Sequence, residues 1–244
     1  MVSARHLRKI FFPPYTIMSK RVEESKDNRE RILLAAERLF AAQGFSATSV
    51  REIVGQADVT APVLYYYFGS KEELLHTLIS ERFASHLERL HVAMQHVQSP
   101  DDVVSQWYRA TMAVTKEHPM ALRLVLGALW GPDIQSLDAL VHELFYNCRS
   151  LFCECIQRVD PSIERDRAQY SYLVLSGMLN TFLFPLLRMG LSFDVEEIIA
   201  SLTPRVVTIL RDDAPLPSAT LHKFDSHIRK LISESSEIET EETS

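Results

Sequence analysis

Residues 49–68 read SVREIVGQADVTAPVLYYYF and run straight into GSKEELL over 69–75; this stretch decides the fold. Val50, Ile53, Val54 and Ala57 recur at three- and four-residue spacing, which puts them on one helical face. Ser49 and Glu52 have the spacing of a capping box, with Thr48 as the competing cap. Asp58-Val59 makes a turn with Val59 as its apolar plug. Thr60 then offers an N-cap, and Pro62 falls in the first turn of a second short helix, where a missing N–H costs little. Ser70 to Glu73 repeats the capping-box pattern ahead of a longer helix through Leu74, Leu75 and Leu78. Upstream, Ile32, Ala35, Ala36, Leu39 and Phe40 form another stripe, which Gly44 ends as a C′ glycine. The spacing predicts a small core around Leu39, Phe40, Phe45, Ile53, Leu64 and Phe68. Two short helices joined by a tight turn can present the second to the DNA major groove.

In order and spacing, RILLAAERLFAAQGFSATSVREI, the turn, LYYYF and the lysine of GSKEELL resemble the DNA-binding domain of the TetR family of bacterial transcriptional regulators. The likeness covers residues 28 to about 83. Two positions depart from it: the family often has Ala where Val54 stands and Gly where Asp58 stands. Asp tolerates a left-handed turn, so the motif is expected to survive. The resemblance implies that Thr48 and Ser49 bind a phosphate at a helix N-terminus, with Arg51 on the same short helix beside the DNA. It implies that Thr60, Ala61, Pro62 and Val63 open the recognition helix and face base edges. They are small and mostly apolar, suited to thymine methyls. Tyr65, Tyr66 and Lys71 would hold backbone phosphates, Tyr66 also reaching a base. The competing reading makes Tyr67 and Tyr66 packing residues with wet hydroxyls.

Beyond this unit the pattern is helix after helix: 71 to about 96, 102–118, 119–130, 134–159, 164–189 and 194–210. Glycine is scarce, no hairpin signal competes, and no internal repeat is found. The expected fold is all-α, a three-helix helix-turn-helix domain followed by a helical ligand-binding and dimerisation domain. We divide the chain into an arm at 1–24, a DNA-binding domain at 25–84 with its motif at 49–68, a regulatory body at 85–211 and an acidic tail at 212–244. Leu221, Phe224, Ile228, Leu231 and Ile232 give that tail the makings of one extra amphipathic helix.

Composition bounds the function. The 244 residues are 46% apolar, ample for a core, and carry a formal charge of −6. The tail from 212 holds eight acids against Lys223, Arg229 and Lys230, and so supplies five of those six charges. Residues 19–71 carry eight bases and seven acids, so a DNA face must come from placement rather than excess charge. The N-terminal apolar run is short and broken by Pro13-Pro14, unlike a signal peptide. Met18-Ser-Lys-Arg resembles a natural start, which makes residues 1–17 a flexible arm or an over-long gene start. No stretch is read as reaching transmembrane length without polar interruption, so the expectation is a cytoplasmic protein with no membrane partner.

Two features of the body bear on function. The 164–189 helix is apolar on more than one face, through residues such as Tyr172, Leu175, Met178 and Phe182, and Gly177 would let another helix approach closely. Together with the 194–210 helix it resembles the family's dimer interface, which implies a homodimer with Leu173, Gly177, Ile199 and Val206 at the contact. Core packing within one subunit is the alternative. Trp107, Trp130, Phe145 and Phe182, with Thr111, His142 and Asn180 among them, suit the apolar ligand cavity that the resemblance implies. Taken singly, each aromatic is ordinary core.

Cys148, Cys153 and Cys155 sit too close on one helix to form a disulfide and read as small buried hydrophobes. His86, His91 and His96 step by five residues, about 140° of helical rotation each, and cannot converge on a metal. No HExxH, GxSxG, glycine-rich phosphate loop or CxxC pair marks an enzyme, and no cofactor is expected. A partner-binding adaptor would leave the tyrosine-rich helix unexplained. The reading is a dimeric repressor on a palindromic double-stranded DNA operator, released by a small apolar or aromatic effector. A constitutive DNA binder is the alternative.

Overall fold

A computed structural model describes residues 15–117, 119–120, 122–123, 135–189 and 192–217, with 221, 223 and 226. Regular structure among the described residues is all helical: α1 (Tyr15–Gln43), α2 (Val50–Ala57), α3 (Ala61–Phe68), α4 (Lys71–Met94), α5 (Pro100–Glu117), α6 (Gln135–Val159), α7 (Arg165–Met189) and α8 (Val195–Arg211). The chain forms two compact units, Met1–Leu74 and Leu75–Ser244, dividing inside α4. The boundary placed at 84/85 from sequence lies further along the same helix.

In the first unit, Ile32, Leu33, Ala36 and Phe40 of α1 are buried, as are Ile53 and Ala57 of α2 and Leu64 and Phe68 of α3. Leu39 and Phe45, expected in this core, are only half-buried. Leu33 extends the stripe in place of Leu39, and Phe45 packs its ring 5.4 Å from that of Phe40 at the rim. Helix α1 begins at Tyr15, inside the stretch read as a flexible arm. Asp27 and Arg31 lie 3.9 Å apart. Gly44, at φ +86°, ends α1 in the left-handed region that its missing side chain permits, and its N–H donates to Phe40 O at 2.9 Å.

In the second unit, α5 packs on α8, α6 on α7, and α7 on α8. Trp107 of α5 sits edge-on to Phe152 of α6 and Tyr172 of α7, with ring centroids 5.4 and 5.7 Å away. Asp194 caps α8, its carboxylate accepting from the N–H groups of Glu196 and Glu197. Arg109 of α5 donates to both carboxylate oxygens of Glu196, at 2.9 and 2.6 Å. Of the helix expected at 119–130, residues 124–130 lie outside the described residues, Trp130 among them. Past α8 the chain stays pinned: Arg167 donates to Ala214 O at 2.9 Å, and Leu221 is buried. Phe224, Ile228, Leu231 and Ile232 of the proposed tail helix lie outside the described residues.

Two expectations need correction here. Ile199 and Val206, placed at a dimer contact from sequence, are 4% and 0% exposed within the single subunit. The stripe on α8 that suggested an interface is the face that fills its own core, because α8 packs against α5 and α7. The second concerns α7. Its window Arg165–Leu187 does have the length and composition to cross a membrane, with only 28% of the window buried inside the subunit. Tyr172, Leu175, Leu179 and Leu183 face the core, while Phe184 is 55% exposed.

Candidate nucleic-acid interface and regulatory cavity

The helix-turn-helix is built by local caps. Ser49 is the N-cap of α2, and its box with Glu52 is complete. The Ser49 N–H and hydroxyl donate to Glu52 Oε2 at 2.8 and 2.7 Å, and the hydroxyl oxygen accepts from the Glu52 N–H at 3.3 Å. These bonds hold the Glu52 carboxyl below its ordinary range. Asp58 closes α2 in the left-handed region at φ 51°, the one such non-glycine among the described residues. Arg31 of α1 donates to its carbonyl at 3.2 Å and to its carboxylate at 3.1 Å. The turn therefore tolerates Asp where the resemblance prefers Gly.

Helix α3 starts after Thr60, with Pro62 in its first turn. Thr60 has N-cap backbone geometry but makes no side-chain cap bond. Thr60, Pro62 and, on α2, Arg51 are exposed, while Ala61 and Val63 are half-buried. With Leu64 and Phe68 anchored in the core, Tyr65 and Tyr66 project outward at 49% and 82% exposure. Tyr67 is half-buried, its ring 5.1 Å from that of Tyr66 in an edge-on pair. The packing reading thus fits Tyr67 and not Tyr66.

Three residues assigned to phosphates are used inside the protein. Thr48 is 2% exposed, and its hydroxyl donates to Gly44 O at 2.8 Å. Ser49 has both donors engaged by Glu52. Lys71 lies with its ammonium 4.2 Å above the Phe45 ring and donates to Phe45 O at 3.1 Å and Thr48 O at 3.0 Å. Its reach across the fold closes the loop between α1 and α2. The Ser49 N–H at the start of α2 meets a carboxylate of the protein itself rather than standing open to an anion.

The second unit contains a cavity of about 110 Å³ that opens to solvent. Its wall holds Trp107, Thr111, Phe145 and Asn180, with Arg82, Phe83 and His86 of α4 and with Cys148, Tyr172 and Ser176. His142 and Phe182 are not in its wall; Phe182 instead packs edge-on against Phe193 at 5.8 Å. The α4 contribution was missed, although residues 82, 83 and 86 share one helical face by spacing. Burial, aided by the charge of Arg89, pushes His86 down to about 4, so its imidazole is neutral near pH 7. Burial pushes the Cys148 thiol up to about 12, which keeps it protonated and unreactive. All three cysteines are buried and free. Leu173 of α7 is half-buried and Gly177 is exposed.

Comparison with known proteins adds identity to this geometry. Residues 32–78 match the family described as bacterial regulatory proteins, tetR family. The probable HTH-type transcriptional regulator YttP of Bacillus subtilis is 32% identical over 99 residues, 40% of this chain and 48% of that protein. The HTH-type transcriptional repressor NicS of Pseudomonas putida is 34% identical over 65 residues, 27% of this chain and 31% of NicS. The match thus spans about half the length of the first relative and a third of the second. Among solved structures, a putative fatty acid metabolism regulator of Clostridium perfringens superposes with a TM-score of 0.61 at 23% identity, covering 76% of this chain and all of that one. That likeness carries the fold alone.

Proposed function

From the match of residues 32–78 to the tetR family of bacterial regulatory proteins, we propose that the chain is a transcriptional repressor that binds a palindromic operator as a homodimer and is released by a small apolar or aromatic effector. The observation that carries DNA binding is α3. Two adjacent tyrosines stand in solvent on a short helix whose opposite face is fixed by Leu64 and Phe68. Exposed tyrosines contribute little to folding, while their hydroxyls are suited to phosphates and their rings to base edges. With Thr60, Pro62 and Arg51 also exposed, the recognition surface is Arg51, Thr60, Pro62, Tyr65 and Tyr66, with Ala61 and Val63 behind it. The cavity supports effector control. One continuous helix, α4, carries Lys71 at its first residue and Arg82, Phe83 and His86 in the cavity wall. A ligand that favours one α4 arrangement shifts operator affinity by its own preference for that arrangement, and a ligand indifferent to it does nothing.

The test is fluorescence anisotropy of labelled DNA from upstream of the protein's own gene. Tyr66→Phe and Tyr65→Phe each remove one hydroxyl and should weaken binding about threefold to tenfold, with unchanged thermal stability. A wild-type protein that fails to bind this DNA at micromolar concentration and low salt would place its operator elsewhere. Failure on a randomised operator library as well would overturn DNA binding.

A further inference from the structure

Charge around the cavity is one-sided. Arg82 contributes a cation to the wall, and among its described residues there is no Asp or Glu. The titrating groups of the wall have neighbours of the same sign. His86 feels Arg89, and Tyr172 feels Arg149, which is itself only 4% exposed. Among the described residues no carboxylate acts on His86, Tyr172 or Cys148. Glu117 pairs with Arg89 at 2.5 Å, so the positive character rests on Arg82 and Arg149. Size is the second constraint. The volume of about 110 Å³ is a little below the roughly 150 Å³ of an apolar cavity that holds benzene, which leaves room for one ring and not for two. Trp107, Cys148 and Tyr172 are buried and form the inner wall, whereas Arg82, Phe83 and His86 of α4 are half-buried.

We propose that this cavity takes a small aromatic carboxylate of one ring, with the ring among Phe83, Trp107, Phe145 and Tyr172 and the carboxylate on the Arg82 side. The proposal rests on the reading that the cavity holds the effector. A carboxylate taken fully out of water is costly unless it is paired. Half-buried Arg82 offers it a guanidinium where water still reaches. A guanidinium has five N–H donors in a fork, so bonds made within the protein leave it able to hold a carboxylate as well. An ammonium in the same place would meet arginines and no acid of the wall, and like charges repel. The ring meets the aromatic wall in offset or edge-on contact.

The experiment measures binding of benzoate, benzamide and benzylamine to the full-length protein by calorimetry, with naphthoate added for size. The first three share one ring and differ in charge. Benzoate should bind at least about tenfold more tightly than benzamide, the gain expected of one charge-assisted hydrogen bond. Benzylamine should bind more weakly than benzamide, and naphthoate more weakly than benzoate. Arg82→Gln removes the charge and should bring benzoate to within about threefold of benzamide, while Arg82→Lys keeps the charge and should keep benzoate ahead. Melting temperatures show that both variants are folded. Benzoate no tighter than benzamide in the wild type overturns the proposal whatever the variants do, and leaves a neutral effector site standing. An advantage for benzoate that survives Arg82→Gln undiminished overturns it, as does tightest binding by benzylamine or by naphthoate. Binding of none of the four at millimolar concentration removes the aromatic effector site itself, and the proposal with it.

Discussion

Lys71, expected at a DNA phosphate, has partners inside the free protein. The resemblance implies a phosphate cation here, and in the free protein its ammonium holds the carbonyls of Phe45 and Thr48 and covers the Phe45 ring. Lys71→Ala should therefore destabilise the free protein by about 1–2 kcal/mol, since it strands two carbonyls of a half-buried loop. Urea denaturation without DNA checks this. An unchanged midpoint, with only the salt dependence of DNA binding reduced, would return Lys71 to the phosphate role. What could be read in advance at this scale was what is local. The Ser49–Glu52 box and the left-handed Asp58 follow from residues within a few positions of one another. The partners of Lys71 lie 26 and 23 residues back along the chain, and spacing does not encode them. The same is true of Arg31, which reaches 27 residues forward to Asp58.

At the scale of the element, helix boundaries were legible because caps and apolar stripes are periodic, whereas the direction in which each stripe faces was not. The stripe of α8 fits an interface and a core equally well; only its packing against α5 and α7 shows that it is core. Helix α4 was read for its start and not for its middle, and so His86 was dismissed as a metal ligand without a use being found for it. Its burial has a consequence for stability against pH. The folded value of about 4 lies below the ordinary 6.5. Between the two, the unfolded chain binds a proton that the folded chain refuses. The contribution is complete above about pH 6.5 and is lost as pH falls towards 4, to a limit of about 3 kcal/mol. His86→Phe should flatten that part of the stability profile, as measured by thermal denaturation from pH 7 to pH 4. A profile as steep as wild type would place the titration elsewhere.

For the whole molecule, the expected homodimer now rests on the outer face of α7 rather than on α8. Leu173 is half-buried, Gly177 is exposed, and Phe184 is 55% exposed on a helix that is otherwise apolar enough to avoid water. Phe184→Glu should give a folded monomer by light scattering, with unchanged helicity, because the side chain lies outside the subunit core. Val206→Asp, at a position with no exposure, should instead unfold the body. A Phe184→Glu protein that remains dimeric would move the interface off this face. The fold class was legible from scarce glycine and unbroken helical periodicity. The cavity was only half legible, since Trp107, Thr111, Phe145 and Asn180 announce themselves by type while Arg82 and His86 owe their place to how α4 packs.

On the proposed reading, the aromatic lining of that cavity also sets how effector release responds to heat. An apolar molecule entering a preformed, poorly hydrated pocket binds with favourable enthalpy near room temperature, and the burial of apolar surface lowers the heat capacity of the complex. Both effects make the bound state less favoured on warming. A regulator built around Phe83, Trp107, Phe145 and Tyr172 would then need more effector to clear its operator in a warm cell than in a cool one. On that reading the threshold for induction would report temperature as well as chemistry.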